Sequence, residues 1–254
     1  MTKILAITNQ KGGVGKTTTS INLAASLAAA GRRVLLIDLD PQGNATMGSG
    51  VEKSTLTNTI YHALLGSEKI STVRIIATNG KYDLIPANRD LAGAEIEMVG
   101  LNMRETRLKE SLKDVQGEYD YILMDCPPAL NLLTLNGLCA AHSVMIPMQC
   151  EYYALEGLSD LVNTIKKVRS TLNPSLRIEG LLRTMFDPRN ILAQQVSDQL
   201  QQHFGNKLYQ TVIPRNVRLA EAPGFGKPVM YHDRMSRGSL AYQALAKEML
   251  EVPA

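Results

Sequence analysis

Lys11-Gly12-Gly13-Val14-Gly15-Lys16-Thr17-Thr18 is the stretch on which the reading of the fold turns. An apolar run, Lys3-Ile4-Leu5-Ala6-Ile7-Thr8, precedes it with the composition of a buried strand. Thr19 to Ala30 follows, rich in alanine and leucine, and reads as a helix. A glycine-rich turn between strand and helix is the context in which this spacing becomes a polyphosphate site. The glycines let the backbone come close and turn its N–H groups inward, and the helix N-terminus adds the positive end of its dipole. Gly12, Gly13, Val14, Gly15, Lys16, Thr17 and Thr18 would cradle the phosphates. Lys16 can reach the β- and γ-phosphates, and the Thr17 hydroxyl can ligate Mg²⁺.

Outward from this loop, strands and helices alternate. Gly31 ends the first helix, and Val34 to Asp38 is a second continuous apolar strand, as expected of a parallel strand covered on both faces. Helix is expected at 56–65, capped near Ser54 or Thr55, and again at 91–115, where Gly100 is a point of bending or breakage. Further helices are expected at 130–141, 154–172, 191–204 and 236–251. Strands are expected at 82–86, 119–125, 143–148, 178–185 and 208–213, with a Pro-, Gly- and Arg-rich loop after the last. With right-handed crossovers this order predicts a P-loop NTPase-like, doubly wound α/β fold, its sheet mainly parallel with helices on both faces. No structureless connector divides the chain, so residues 1–254 are expected to form one domain.

Composition narrows the class. Apolar content of 44% and charge of 20% over 254 residues are those of a globular chain. The net charge of +3 is uneven: residues 1–182 carry 18 basic and 18 acidic side chains, and residues 183–254 carry 9 and 6. The excess therefore lies in the last quarter. Three cysteines without Cys-x-x-Cys spacing suit a reducing cytoplasm. No apolar run approaches the roughly 18 residues of a membrane span, and the N-terminal run is too short for a signal peptide.

Several acids stand at predicted strand ends, where ligands bind in such sheets. Asp125 follows four apolar residues and resembles a Walker B acid reaching Mg²⁺ through water. Asp40, just past the second strand, is placed to orient an attacking water. Asp38 reads equally as part of the Mg²⁺ shell or as a loop cap. Lys11 is a second lysine that an ordinary phosphate loop does not need; on physics alone it reads equally as a solvated loop residue.

The motif resembles the deviant Walker A sequence of the ParA/MinD class of P-loop ATPases. The resemblance continues through Asp38-Leu39-Asp40-Pro41-Gln42-Gly43-Asn44, Asp125-Cys126-Pro127-Pro128, Gln149 to Gly157 and Ile213-Pro214-Arg215-Asn216-Val217-Arg218-Leu219, covering nearly the whole chain. It is strongest to chromosomal ParA (Soj) proteins. The resemblance implies an ATP- and Mg²⁺-dependent ATPase, catalysed through Lys11, Lys16 and Asp40, that forms a homodimer around ATP. Lys11 would be the signature lysine, crossing to the partner subunit's nucleotide. Asp40 would serve hydrolysis but not binding, and Pro214 and Asn216 would contact adenine. Arg189 and Arg218 would give non-specific binding of double-stranded DNA, against the bland reading of both as surface charge. A ParB-type centromere-binding partner would stimulate slow hydrolysis, and the protein would be cytoplasmic and nucleoid-associated, partitioning a chromosome or plasmid. About four phosphate contacts in the dimer predict a log–log salt slope near −4.

Three rival readings follow from the same residues. A MinD-like membrane switch that positions cell division needs a C-terminal helix with a basic polar face. The tail from Ser239 to Ala254 has one basic residue, two acids and many alanines, and reads as a helix packed on its own domain, so no membrane partner is expected. An electron-transfer ATPase resembling the nitrogenase iron protein needs cluster cysteines, and no cysteine lies upstream of Cys126. A nucleotide-binding scaffold without turnover conflicts with the joint presence of Lys16, Asp40 and Asp125.

Overall fold

The structure, a computed structural model, describes residues 2–251. Met1 and Val252 to Ala254, the ends of the single-domain range and of the C-terminal stretch read above, lie outside the described residues. Among the described residues seven strands form one sheet: β1 (Lys3–Ile7), β2 (Val34–Asp38), β3 (Ile75–Ala77), β4 (Tyr82–Ile85), β5 (Tyr121–Asp125), β6 (Ser143–Met148) and β7 (Arg177–Arg183). Their spatial order is β3-β4-β2-β5-β1-β6-β7, and only the β3–β4 pair is antiparallel. Every residue of β2, β5 and β6 is buried, which is why these strands are continuous apolar runs and not alternating ones.

The helices are α1 (Lys16–Ala29), α2 (Asn44–Gly48), α3 (Ile60–Leu65), α4 (Ile70–Val73), α5 (Leu91–Met98), α6 (Arg107–Ser111), α7 (Leu132–Ala140), α8 (Ala154–Thr171), α9 (Ile191–Phe204), α10 (Val217–Glu221), α11 (Val229–His232) and α12 (Arg237–Glu251). Alternate strand residues feed two cores. Leu35, Ile37 and Ile122 pack with α3, α5, α7, α8 and α9; Leu36, Leu5 and Ile7 pack with α1, α11 and α12. This is the doubly wound P-loop arrangement expected. Register then places the site: Ile7 of β1 and Asp38 of β2 both pair with Asp125 of β5, so the phosphate loop and both acids leave the sheet at one edge.

Four local expectations need correction. The stretch 208–213 is not a strand, and only isolated bridges, Leu181–Leu208 and Phe186–Pro214, tie this segment to β7 and the residues after it. Its backbone reaches β7 through Tyr209 N to Leu181 O at 3.0 Å and Ile213 N to Arg183 O at 2.9 Å, and side chains take the groups between. Glu248 accepts from Gln210 N and Thr211 N at 2.7 and 2.9 Å, and Arg183 Nη2 donates to Tyr209 O at 2.8 Å. The helix expected over 91–115 is broken into α5, α6 and a short 3₁₀ turn at Leu112–Asp114, with turns across 99–106, the region of Gly100. The helix expected at 56–65 starts only at Ile60, with Thr59 before it donating its N–H to His62 Nδ1 at 3.1 Å. The edge strand β3 was not expected; three residues carry too little pattern to signal a strand.

Candidate nucleotide site

Gly15 ends the phosphate loop with φ +87°, a left-handed conformation that a side chain would strain, and it lies against Thr184. The Thr184 hydroxyl donates to Val14 O at 2.7 Å and so clamps the loop from β7's far end. Asn9 holds the loop's other side: its amide donates to Pro147 O at 2.8 Å and its carbonyl accepts from Lys11 N at 3.0 Å. A cavity of about 690 Å³ opens above. Its lining joins Gly12 to Thr18, except Val14, with Asp40, Pro214 and Asn216, from opposite ends of the chain. Val14 is buried beneath the loop.

The two lysines diverge. Lys16 is 7% exposed and its Nζ donates to Lys11 O at 3.1 Å. Burial lowers its pKa, opposed chiefly by the charge of Asp125. Lys11 instead projects to the surface, where its Nζ meets Glu151 Oε2 at 2.5 Å; both side chains are about half exposed.

The acids differ as sharply. Asp125 is fully buried, and its two oxygens accept from Thr17 Oγ1 at 2.7 Å and Ser20 Oγ at 2.9 Å. Each oxygen keeps a second lone pair. Asp38, also buried, accepts from Asp40 N at 3.1 Å and from both the N–H and hydroxyl of Thr46 at 2.8 Å. Burial raises the pKa of both carboxylic acids, and their mutual repulsion adds to the shift on Asp125. Asp38 is thus a brace for the turn that carries Asp40. Asp40 itself is only partly buried, accepts from Gln42 N at 2.9 Å and lines the cavity. Gly43 closes that turn at φ +62°, where a Cβ would lie 2.7 Å from Ala87 O.

This donor set suits a Mg²⁺-nucleotide. Mg²⁺ keeps several waters and needs only one or two protein groups plus phosphate oxygens, which Thr17 and Asp125 match. Asn216 Oδ1 is buried without a hydrogen-bond partner, an acceptor suited to an exocyclic amino group such as adenine's.

A family model described as an AAA domain matches residues 2–178. The sporulation initiation inhibitor protein Soj of Bacillus subtilis is 55% identical over 98% of this chain and 98% of its own length. The chromosome partitioning protein ParA of Myxococcus xanthus is 52% identical over 98% of this chain and 88% of its own. The chain belongs to the ParA/Soj family of partitioning ATPases. Among solved structures, cobyrinic acid a,c-diamide synthase of Mycobacterium smegmatis, with a bound ATP analogue and magnesium, superposes at a TM-score of 0.86 with 38% identity, covering 98% of this chain and 95% of that one. The ParA/Soj scaffold is therefore shared with a protein named for different chemistry, so function must be argued from the site.

In this ParA/Soj chain, Arg189 and Arg218 stand outside the cavity. The Arg189 side chain is 88% exposed in the loop after β7, and the Arg218 side chain is 52% exposed on α10. Sequence reading missed Asn9, Ser20, Thr46, Glu151 and Thr184. Ser20, one helical turn after Thr17, was within reach of spacing arguments. Asn9 caps Lys11 N from two residues away, also a local signal; Thr46, Glu151 and Thr184 reach the site only through the fold.

Proposed function

We propose that this chain is an ATP-dependent dimerising switch that binds double-stranded DNA non-specifically as the ATP dimer and partitions a chromosome or plasmid with a ParB-type partner. The observation that carries this reading is the division of labour between the two lysines. Lys16 is buried in its own loop, whereas Lys11 points away from it and is held by a surface carboxylate. A cation at the rim of a phosphate cradle, once it leaves that exposed carboxylate, can serve a neighbouring subunit's nucleotide, as an arginine finger supplied in trans does.

In this account Gly12 to Thr18 bind the ATP phosphates, and Pro214 and Asn216 hold the adenine. Thr17, and Asp125 through water, would hold Mg²⁺, which would supply charge neutralisation of the phosphates. Asp40 orients the attacking water, its turn fixed by Asp38 and Thr46. Hydrolysis, stimulated by the partner, removes the phosphate that both subunits share, and with it the contacts that favour the dimer. Arg189 and Arg218 contact DNA phosphates, which places the protein on the nucleoid within the cytoplasm.

No helix among the described residues is long and apolar enough to cross a membrane. The apolar face of α12 (Tyr242, Leu245, Ala246, Met249) is buried against its own core, which argues against the MinD-like alternative, in which such a helix lies on lipid. The experiment is DNA binding by the purified protein without nucleotide, with ADP, with ATP and with a non-hydrolysable analogue, across a salt series. Binding confined to the ATP and analogue states, steeply weakened by salt, supports the proposal. Equal binding in all four states, or binding to anionic vesicles in place of DNA, contradicts it.

A further inference from the structure

The two arginines assigned to DNA are already occupied. Arg189 Nε and Nη2 donate to the two oxygens of Asp187 at 3.0 and 2.8 Å, and Arg189 N donates to Asp187 Oδ1 at 3.0 Å. This is the two-pronged geometry by which a guanidinium holds a phosphate. Arg218 has two acids: its Nη1 donates to Glu221 Oε2 at 2.8 Å and its Nε lies 3.3 Å from Asp233 Oδ2. His232 Nε2 stands 3.7 Å from the same Glu221 oxygen. Arg215, Arg234 and Arg237, on the same segments, have no carboxylate at ion-pair distance among the described residues.

Stability does not account for these pairs. Exposed ion pairs contribute little to folding, and Arg189 is among the most exposed side chains to form one. Nor are they scattered. The Phe186–Pro214 bridge lays the Asp187–Arg189 loop beside the segment leading to α10, and the charge of Arg237 reaches Asp187. Six cations (Arg189, Arg215, Arg218, Lys227, Arg234 and Arg237) thus share these segments with three acids, Asp187, Glu221 and Asp233.

We propose that Asp187 and the Glu221–Asp233 pair are internal competitors for DNA phosphate, masking Arg189 and Arg218 so that DNA binding depends on the ATP dimer. The inference rests on the DNA-binding reading above and adds its regulation. A phosphate must displace a carboxylate to reach each arginine, an exchange of like for like that gains little on one subunit. Two faces joined in a dimer present the second set of arginines at high effective concentration, and the small gains then combine on one DNA. The masks set the threshold that a lone subunit does not cross.

The test is fluorescence anisotropy with a labelled duplex of arbitrary sequence over a salt series, without nucleotide and with a non-hydrolysable ATP analogue. Asp187→Asn and the double variant Glu221→Gln/Asp233→Asn keep side-chain shape, and light scattering with ATP checks that each still dimerises. Each should bind DNA without nucleotide roughly threefold more tightly than the parent, the gain expected from releasing one exposed pair on a lone subunit, and roughly tenfold more tightly with the analogue, where two copies act together. The log–log salt slope should steepen by about 0.9 for each released arginine. Asp198→Asn, on the neighbouring α9, supplies the control for a general change of charge. An equal gain from Asp198→Asn, or unchanged affinity in the mask variants while Arg189→Glu and Arg218→Glu lose binding, overturns the masks and leaves the DNA face standing. If Arg189→Glu and Arg218→Glu bind as the parent does, the DNA face itself is wrong and the masks fall with it.

Discussion

Asp38 and Asp40 are two residues apart and do opposite things. Asp38 is buried with its oxygens committed to Thr46 and to the backbone of Asp40, whereas Asp40 reaches the cavity. Asp40→Ala is therefore expected to leave ATP binding intact, to reduce turnover by roughly 10²–10⁴-fold and to accumulate an ATP dimer, read by coupled phosphate release and light scattering. A monomer in ATP would remove Asp40 from this role. Thr46→Val deletes a hydroxyl that donates to Asp38 and accepts from Ala87 N at 2.9 Å. Leaving both of those groups short of a partner should cost roughly 2–4 kcal/mol in urea unfolding. Acids at strand ends were legible because strand and turn are local. Their division into a buried brace and a cavity-facing acid was not, because Thr46 and Ala87 reach them only through the folded turn.

At the scale of elements, α12 and α1 lock together over the sheet. The hydroxyls of Tyr242 and Thr19 lie 3.0 Å apart with both side chains buried, and Tyr242 also lines the cavity. Tyr242→Phe should lower stability by about 1–2 kcal/mol, measured by denaturant unfolding, through the unpaired Thr19 hydroxyl; an unchanged midpoint would show that the contact is idle. The helical pattern of α12 announced a self-packed helix, and so it is. The segment 208–213 was misread for a related reason. Its apolar residues mark burial, but between two backbone bonds to β7 it is held by Glu248 of α12 and Arg183 of β7, and no local pattern shows side chains interrupting a ladder. The phosphate loop suffered no such ambiguity, since strand, glycines and helix are contiguous.

At the scale of the whole molecule, the nucleotide edge of the sheet concentrates unfavourable charge. Asp125 and Asp38 have folded pKa values raised above their unfolded ones, chiefly by burial. The linkage sign follows. Their contribution to stability is full below the ordinary carboxylate range and is lost as pH rises through the raised values. Nucleotide-free protein should accordingly lose thermal stability as pH rises towards and past neutrality, and Asp125→Asn should flatten that trend. Mg²⁺-nucleotide, which favours the ionised acids, should stabilise most on the alkaline side. The same edge exposes Lys11, and the sequence could place this lysine in the loop but could not show that it turns outward to Glu151, 140 residues away.

That outward turn makes one measurement decisive: the mass of Lys11→Ala by light scattering, with and without the non-hydrolysable ATP analogue, beside its nucleotide affinity. The account predicts parent-like affinity and a monomer in both conditions, while the parent becomes a dimer with the analogue. A Lys11→Ala protein that dimerises with the analogue as the parent does would contradict it.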